Sequence, residues 1–150
     1  GLISGAISET PKAPELSGLP EIYIFQGVQE ALQRAGKTLL IADTGGDPNN
    51  IPLLMRTFSE HRVEGVIYVA PYHQPVSLPL SHRSSEIAIA NGYDAEGTPC
   101  VVPDDYEGQK ALTARLIEVG HRRIAYLTLP AELVATRDRT AGYIDALKDA

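Results

Sequence analysis

The sequence is poor in cysteine, in basic runs and in long apolar stretches, and each shortage excludes something. A single cysteine, Cys100, cannot build an internal disulfide framework or a cluster of thiolates, which leaves a reducing compartment as the default. No His, Lys or Arg adjoins it to lower its pKa, so its expected role is that of a small buried residue at a strand end. The apolar stretches are strand-like runs such as Val66 to Pro71, far below the roughly 20 residues of a spanning helix. No membrane span is expected. Basic residues never run beyond the pair Arg122 and Arg123, and 13 Lys and Arg against 19 Asp and Glu leave a net charge of −6. These residues therefore carry no electrostatic footprint for a phosphate backbone, and any nucleic-acid contact is expected elsewhere. The chain opens on Gly1-Leu-Ile-Ser, already inside an apparent strand and without an initiator Met, so an upstream segment is expected.

The motifs of several common activities are missing as well. Gly5 stands alone after the first strand, where a dinucleotide site needs GxGxxG, and there is no P-loop. A receiver domain needs a phospho-acceptor Asp at the end of its third strand, where this sequence has Val69-Ala70-Pro71. His61, His73, His82 and His121 are scattered, with no pair at helical spacing and no cysteine nearby, so neither a metal site nor a cofactor is expected. No serine sits in an elbow with His and Asp in order behind it. Nothing in these residues argues for catalysis.

What is present is an alternation of two periodicities in 150 residues that are 43% apolar and 21% charged, the composition of one ordinary globular domain. Leu2 to Ile7 reads as a strand. A long loop rich in proline and small residues follows from Glu9, with a helix from about Pro20 to Ala35 that repeats Ile24, Val28, Ala31, Leu32 and Ala35 and stops at Gly36. Thr38 to Ala42 is a second strand. Asp47 and Pro48 start a helix as cap and first residue, with Ile51, Leu54, Met55 and Phe58 on one face. Val66 to Ala70 is a strand free of charge and ended by Pro71; Tyr72 to Ser85 reads mostly as loop, and Ile87 to Ala90 as a fourth strand. After a polar turn from Asn91 to Thr98, Pro99 to Val102 is short and extended. A helix spans about Asp105 to Val119, Arg123 to Leu127 reads as a strand, and a last helix begins near Ala135. Strands alternating with helices imply a doubly wound parallel α/β sheet, whose ligands bind beyond the carboxyl ends of the strands. That rule directs attention to Ser8 and Glu9, Asp43 and Thr44, Pro71 to His73, Asn91, and Thr128 to Arg139.

Among these, Arg139 is the most informative single residue. It stands early in a helix after a strand-to-helix loop, where a guanidinium can fork two hydrogen bonds onto adjacent hydroxyls or a carboxylate. Of the neighbours Asp104 and Asp105, capping of the following helix is the expected role of Asp105.

The segments Val102-Pro-Asp-Asp-Tyr-Glu-Gly-Gln, Leu116-Ile-Glu-Val-Gly-His-Arg-Arg-Ile-Ala-Tyr-Leu and Arg139-Thr-Ala-Gly-Tyr resemble the effector-binding domain of the LacI/GalR family of bacterial transcription regulators. Gly27-Val-Gln-Glu-Ala, Leu39-Leu-Ile-Ala-Asp-Thr and Arg62-Val-Glu-Gly-Val-Ile agree in order and spacing. Within the family, Ile89-Ala-Asn91, Pro103-Asp-Asp-Tyr and Leu129 to Thr136 look most like the sucrose operon repressors. The resemblance implies a periplasmic-binding-protein-like fold of type I. It has two flavodoxin-like subdomains with a small molecule, often a sugar, bound between them, and closure coupled to an N-terminal helix-turn-helix. It places residues 1–102 in the N-terminal subdomain and 103–150 in a crossover and the beginning of the C-terminal one, with the headpiece and the remainder absent. By the same resemblance Arg139 takes the ligand-binding arginine, Asn91 a polar contact at the end of the fourth strand, and Asp104 a place lining the cleft. Ala135 stands four before Arg139 where several members carry Ser or Thr, so that contact is lost or moved to Thr136. Phe25, Tyr72 and the loop after Ser8 are expected to pack on the sugar face. The reading is a cytoplasmic repressor's sensor for sucrose or a fructose-type sugar, acting as a homodimer through its first helix, binding operator DNA through the headpiece and touching no membrane. A periplasmic sugar-binding protein of a transporter is the alternative, and a doubly wound enzyme dependent on Asp104 or His73 is a third.

Overall fold

The computed structural model describes residues 1–5, 21–78 and 86–150. Its elements run β1 (Leu2–Ser4), α1 (Glu21–Arg34), β2 (Ile41–Asp43), a 3-10 turn (Pro48–Asn50), α2 (Ile51–Glu60), β3 (Gly65–Pro75), β4 (Glu86–Tyr93), β5 (Cys100–Val101), α3 (Asp105–Glu118) and α4 (Val134–Lys148). They form two compact units, Gly1–Val102 and Pro103–Ala150.

In the first unit all five strands are parallel, in the order β2-β1-β3-β4-β5. Alternate side chains of each strand point to opposite faces. Ile3, Val66, Tyr68, Ala70 and Ile89 therefore pack with Ile51, Met55 and Phe58 of α2, while Leu2 and Val69 pack with Phe25 of α1. Helices on both faces make the sheet doubly wound, as the alternation of periodicities requires.

Local chemistry sets the helix ends. The Asp47 side chain accepts from the Asn49 backbone N–H at 2.9 Å, and Pro48 follows where no amide hydrogen is needed. At the other ends, Lys37 N donates to Leu32 O, Val63 N to Phe58 O and His121 N to Leu116 O, the six-to-one bond of a Schellman stop. Gly36 and Gly120 supply the left-handed residue for two of these stops, and Arg62 adopts it at φ 53° for the third.

The second unit is α3 packed on α4. The buried face of α4 carries Thr136, Gly142 and Ala146. Tyr143 stacks on Tyr126 with ring centres 4.9 Å apart and donates its hydroxyl to Ile124 O at 2.8 Å, which ties the preceding segment to the helix.

Several expected boundaries are corrected. Pro71 does not end β3, which continues to Pro75, nor does Ala90 end β4, which continues to Tyr93. Between Val69↔Ala90 and Gln74↔Gly92 the register shifts, so residues 70–73 bulge against Asn91 alone. Pro71 lies in that bulge, where the ladder asks no amide hydrogen of it. β2 is shorter and later than Thr38 to Ala42. Residues 123–127 form no strand, with Leu127 95% exposed. A strand exists only through ladder partners, and the described residues of this unit offer none. The Glu9 to Leu19 loop lies outside the described residues, and Cys100 is exposed rather than buried.

Candidate functional site

In the first unit the site follows from the strand order. The chain winds outward from β1 to β2 and then crosses to β3, so the winding direction reverses between β1 and β3, the position beyond whose carboxyl ends such sheets bind their ligands. Three backbone segments converge there. Gly5 N donates to Val69 O at 3.0 Å, and a Cβ on Gly5 would meet Pro71 Cδ at 2.7 Å, so this close approach requires glycine. Thr44, 2% exposed, donates its hydroxyl to Gly5 O at 2.8 Å and its amide to Ser4 O at 3.0 Å, locking the ends of β1 and β2 together. The bulge of β3 then projects Tyr72, which is exposed, and His73, whose ring meets Tyr93 edge-on at 5.8 Å. Asn91 sits opposite in the left-handed region, at φ 61°, and donates Nδ2 to Ala70 O at 3.1 Å. That bond supplies a partner for a carbonyl that the bulge takes out of the ladder.

In the second unit the candidate residues gather around the start of α3 and the first turns of α4. Asp104 is the N-cap of α3, its Oδ1 accepting from Glu107 N at 3.1 Å. This corrects the expected assignment of the cap to Asp105. Successive helical residues point about 100° apart, so when Asp104 caps, Asp105 turns inward. Its side chain is only 3% exposed and accepts from Arg139 Nε at 2.6 Å across 34 positions of sequence. Arg139 itself is 41% exposed, and its terminal nitrogens make no hydrogen bond among the described residues. Thr136 lies one turn before it and is buried, its hydroxyl without a hydrogen-bond partner among the described residues.

Gly142 lets the two helices close around this group. A Cβ there would stand 2.3 Å from Tyr106 O. Further along the same pair, Tyr106 donates to Asp145 at 3.1 Å, and that bond raises the Tyr106 pKa. The Lys148 ammonium and then the Tyr106 hydroxyl hold the Asp145 carboxyl below its usual range.

The sequence-derived candidates thus separate. Tyr72 and Asn91 both lie at the β3 bulge, while Asp104, Thr136 and Arg139 belong to the α3 and α4 pair. Ser8 lies outside the described residues. Phe25 is 8% exposed and packed on Leu2 and Val69, which gives its ring a role in the core. Sequence reasoning did not find Asp105 as the partner of Arg139. The signal was present in the adjacent carboxylates, of which only one can cap. Among the described residues no group of His, Cys, Asp and Glu can hold a metal ion, and no helix is long and apolar enough to cross a membrane.

Residues 22–150 match the family model described as periplasmic binding proteins and sugar binding domain of LacI family. Over 130 residues, 85% of this chain and 39% of the relative, the sequence is 28% identical to an HTH-type transcriptional repressor PurR of Aliivibrio fischeri. It is 33% identical over 96 residues, 63% of this chain and 29% of the relative, to a sucrose operon repressor of Escherichia coli. A crystal structure of a LacI-family transcriptional regulator protein from Rhizobium etli superposes with a TM-score of 0.84 at 32% identity, covering 99% of this chain and 50% of that one. The chain therefore spans half or less of the length of each of these proteins.

Proposed function

The chain belongs to the family of periplasmic binding proteins and LacI-family sugar-binding domains, and from that membership we propose that it is the effector-sensing part of a DNA-binding transcription repressor that takes a saccharide. The family match over residues 22–150 carries this reading. Its named relatives are transcription repressors, which favours it over the transporter component.

In this reading residues 1–102 are the N-terminal subdomain and 103–150 open the C-terminal one. Arg139 presents its terminal nitrogens to ring hydroxyls, Asp104 and Thr136 add polar contacts from the same helix pair, and Tyr72 and Asn91 serve from the β3 bulge. The likeness to a sucrose operon repressor supports sucrose or a fructose-type sugar as the effector. Operator DNA is held by a helix-turn-helix upstream of Gly1, in the cytoplasm, by a homodimer to which the exposed Ile22 and Tyr23 of α1 offer apolar surface. The sugar shifts the repressor between states only by its differential affinity for them, and operator affinity changes by the same coupling.

Calorimetry on the full-length parent, titrated with sucrose and with fructose, tests the proposal. One sugar binds saturably, and Arg139→Ala weakens it about tenfold to a hundredfold, the loss of charge-assisted hydrogen bonds. Unchanged affinity in the variant removes Arg139 from the site, and binding of neither sugar refutes the saccharide assignment.

A further inference from the structure

We propose that Asp105 is a specificity determinant that restricts the effector to an uncharged polyhydroxyl compound and rejects its phosphorylated or carboxylate counterparts. This rests on the reading of Arg139 as an effector contact. Taken alone, a half-exposed arginine at the head of a helix suits a phosphate as well as a sugar, because its fork matches either. The structure removes that ambiguity. Asp105 takes the Nε of Arg139 at 2.6 Å while its own side chain is 3% exposed, so the guanidinium charge is met by a carboxylate that water scarcely reaches. Asp105 stands in the first turn of α3 with Glu107, behind the carboxylate of the cap Asp104, where the helix dipole favours negative charge.

An incoming anion at Arg139 would bring a further negative charge to a cation already neutralised within hydrogen-bonding distance. The opposing fields are the dipoles at the starts of α3 and α4, the latter with no side-chain cap and no acid in its first turn. Each amounts to about half an elementary charge, and the two together fall short of the carboxylates of Asp104 and Asp105. A hydroxyl meets no such conflict. It accepts from the terminal nitrogens of Arg139, and the buried Thr136 hydroxyl, which lacks a partner among the described residues, can donate to it or accept from it. Asp105 acts on the effector through Arg139, as a positioning residue that also sets the local charge.

The test uses the full-length repressor with inorganic phosphate, sucrose and sucrose 6-phosphate at constant ionic strength. In the wild type, phosphate leaves the melting temperature unchanged, and sucrose binds at least about tenfold more tightly than its phosphate, as expected for an added like charge a few ångströms away. Asp105→Asn keeps the shape, gains saturable phosphate binding and lowers the sucrose preference by at least about tenfold. The double variant with Arg139→Ala loses the gained phosphate binding. If the Asn variant fails to fold, Asp105→Ser provides the same readout. Arg139-dependent phosphate binding by the wild type overturns the proposal, as does an Asp105 variant that folds and stays silent to phosphate. Should neither sugar bind any form, the saccharide reading fails, while the phosphate arm still decides the role of Asp105.

Discussion

Replacing Gly142 by alanine should separate α3 from α4 and disarm Arg139 without touching it. A Cβ at this position would sit 2.3 Å from Tyr106 O and 3.0 Å from Lys110 N, and the first distance is about 1.1 Å short of the 3.4 Å at which ordinary contact begins. Both opposing atoms are helical backbone, so no side chain can rotate away and the helix axes must part. Overpacking of this kind costs about 1–3 kcal/mol, and a backbone obstacle places the cost at the upper end. Alanine recovers about 1 kcal/mol of helix propensity, so the net destabilisation is about 2 kcal/mol. Gly108 of α3 is the internal control, since a Cβ there meets nothing within 4 Å and alanine should stabilise by up to about 1 kcal/mol. The Arg139 and Asp105 pair lies within one turn of the obstructed contact, so parting the helices stretches its 2.6 Å bond. Urea denaturation of the full-length protein reads the stability, and effector calorimetry reads the loss of affinity, expected to be at least about tenfold for a charge-assisted bond of about 1.5–3 kcal/mol. If Gly142→Ala proves as stable as Gly108→Ala, the close approach of the helices does not exist in solution and the reasoning fails.

Two further outcomes follow from the first unit. At Asn91, with φ 61° and a bond to Ala70 O, glycine removes only the hydrogen bond whereas alanine also bears the left-handed backbone, so alanine should unfold about 1 kcal/mol more easily; equal denaturation midpoints would contradict this. At Asp94, burial raises the pKa, but hydrogen bonds from the Thr98 side chain and backbone, with those of Gly97 and Glu96, outweigh it and hold the carboxyl below its ordinary value. Because the folded pKa is depressed, the stabilisation is present above the unfolded carboxylate's pKa, about 4, and is lost as pH falls through the folded value. Thermal melts between neutral and acid pH should then show Asp94→Asn losing less stability on acidification than the parent, and parallel curves would exclude the effect.

Much of this was legible from residue order. Asp47 with Pro48 marks a helix start, Gly36 and Gly120 mark helix stops, and charge-free runs such as Val66 to Ala70 mark buried strands, because capping, left-handed backbone and two-sided burial act through neighbours in sequence. The likeness of the segments around Val102, Gly120 and Arg139 to the LacI/GalR family was also readable there. Tertiary structure decided the rest. Pro71 was open to reading as a terminator until the register between β3 and β4 placed it in a bulge that needs no amide hydrogen. Residues 123–127 have the composition of a strand, yet a strand requires partners that no local pattern supplies. Phe25 passed for a ligand contact until the packing of α1 set it on Leu2 and Val69. Asp104 and Asp105 are equivalent as letters. Only the arrival of Arg139, 34 residues later and brought in by helix packing, makes one the cap and the other the partner of the arginine, because burying a carboxylate requires a cation at hydrogen-bonding distance.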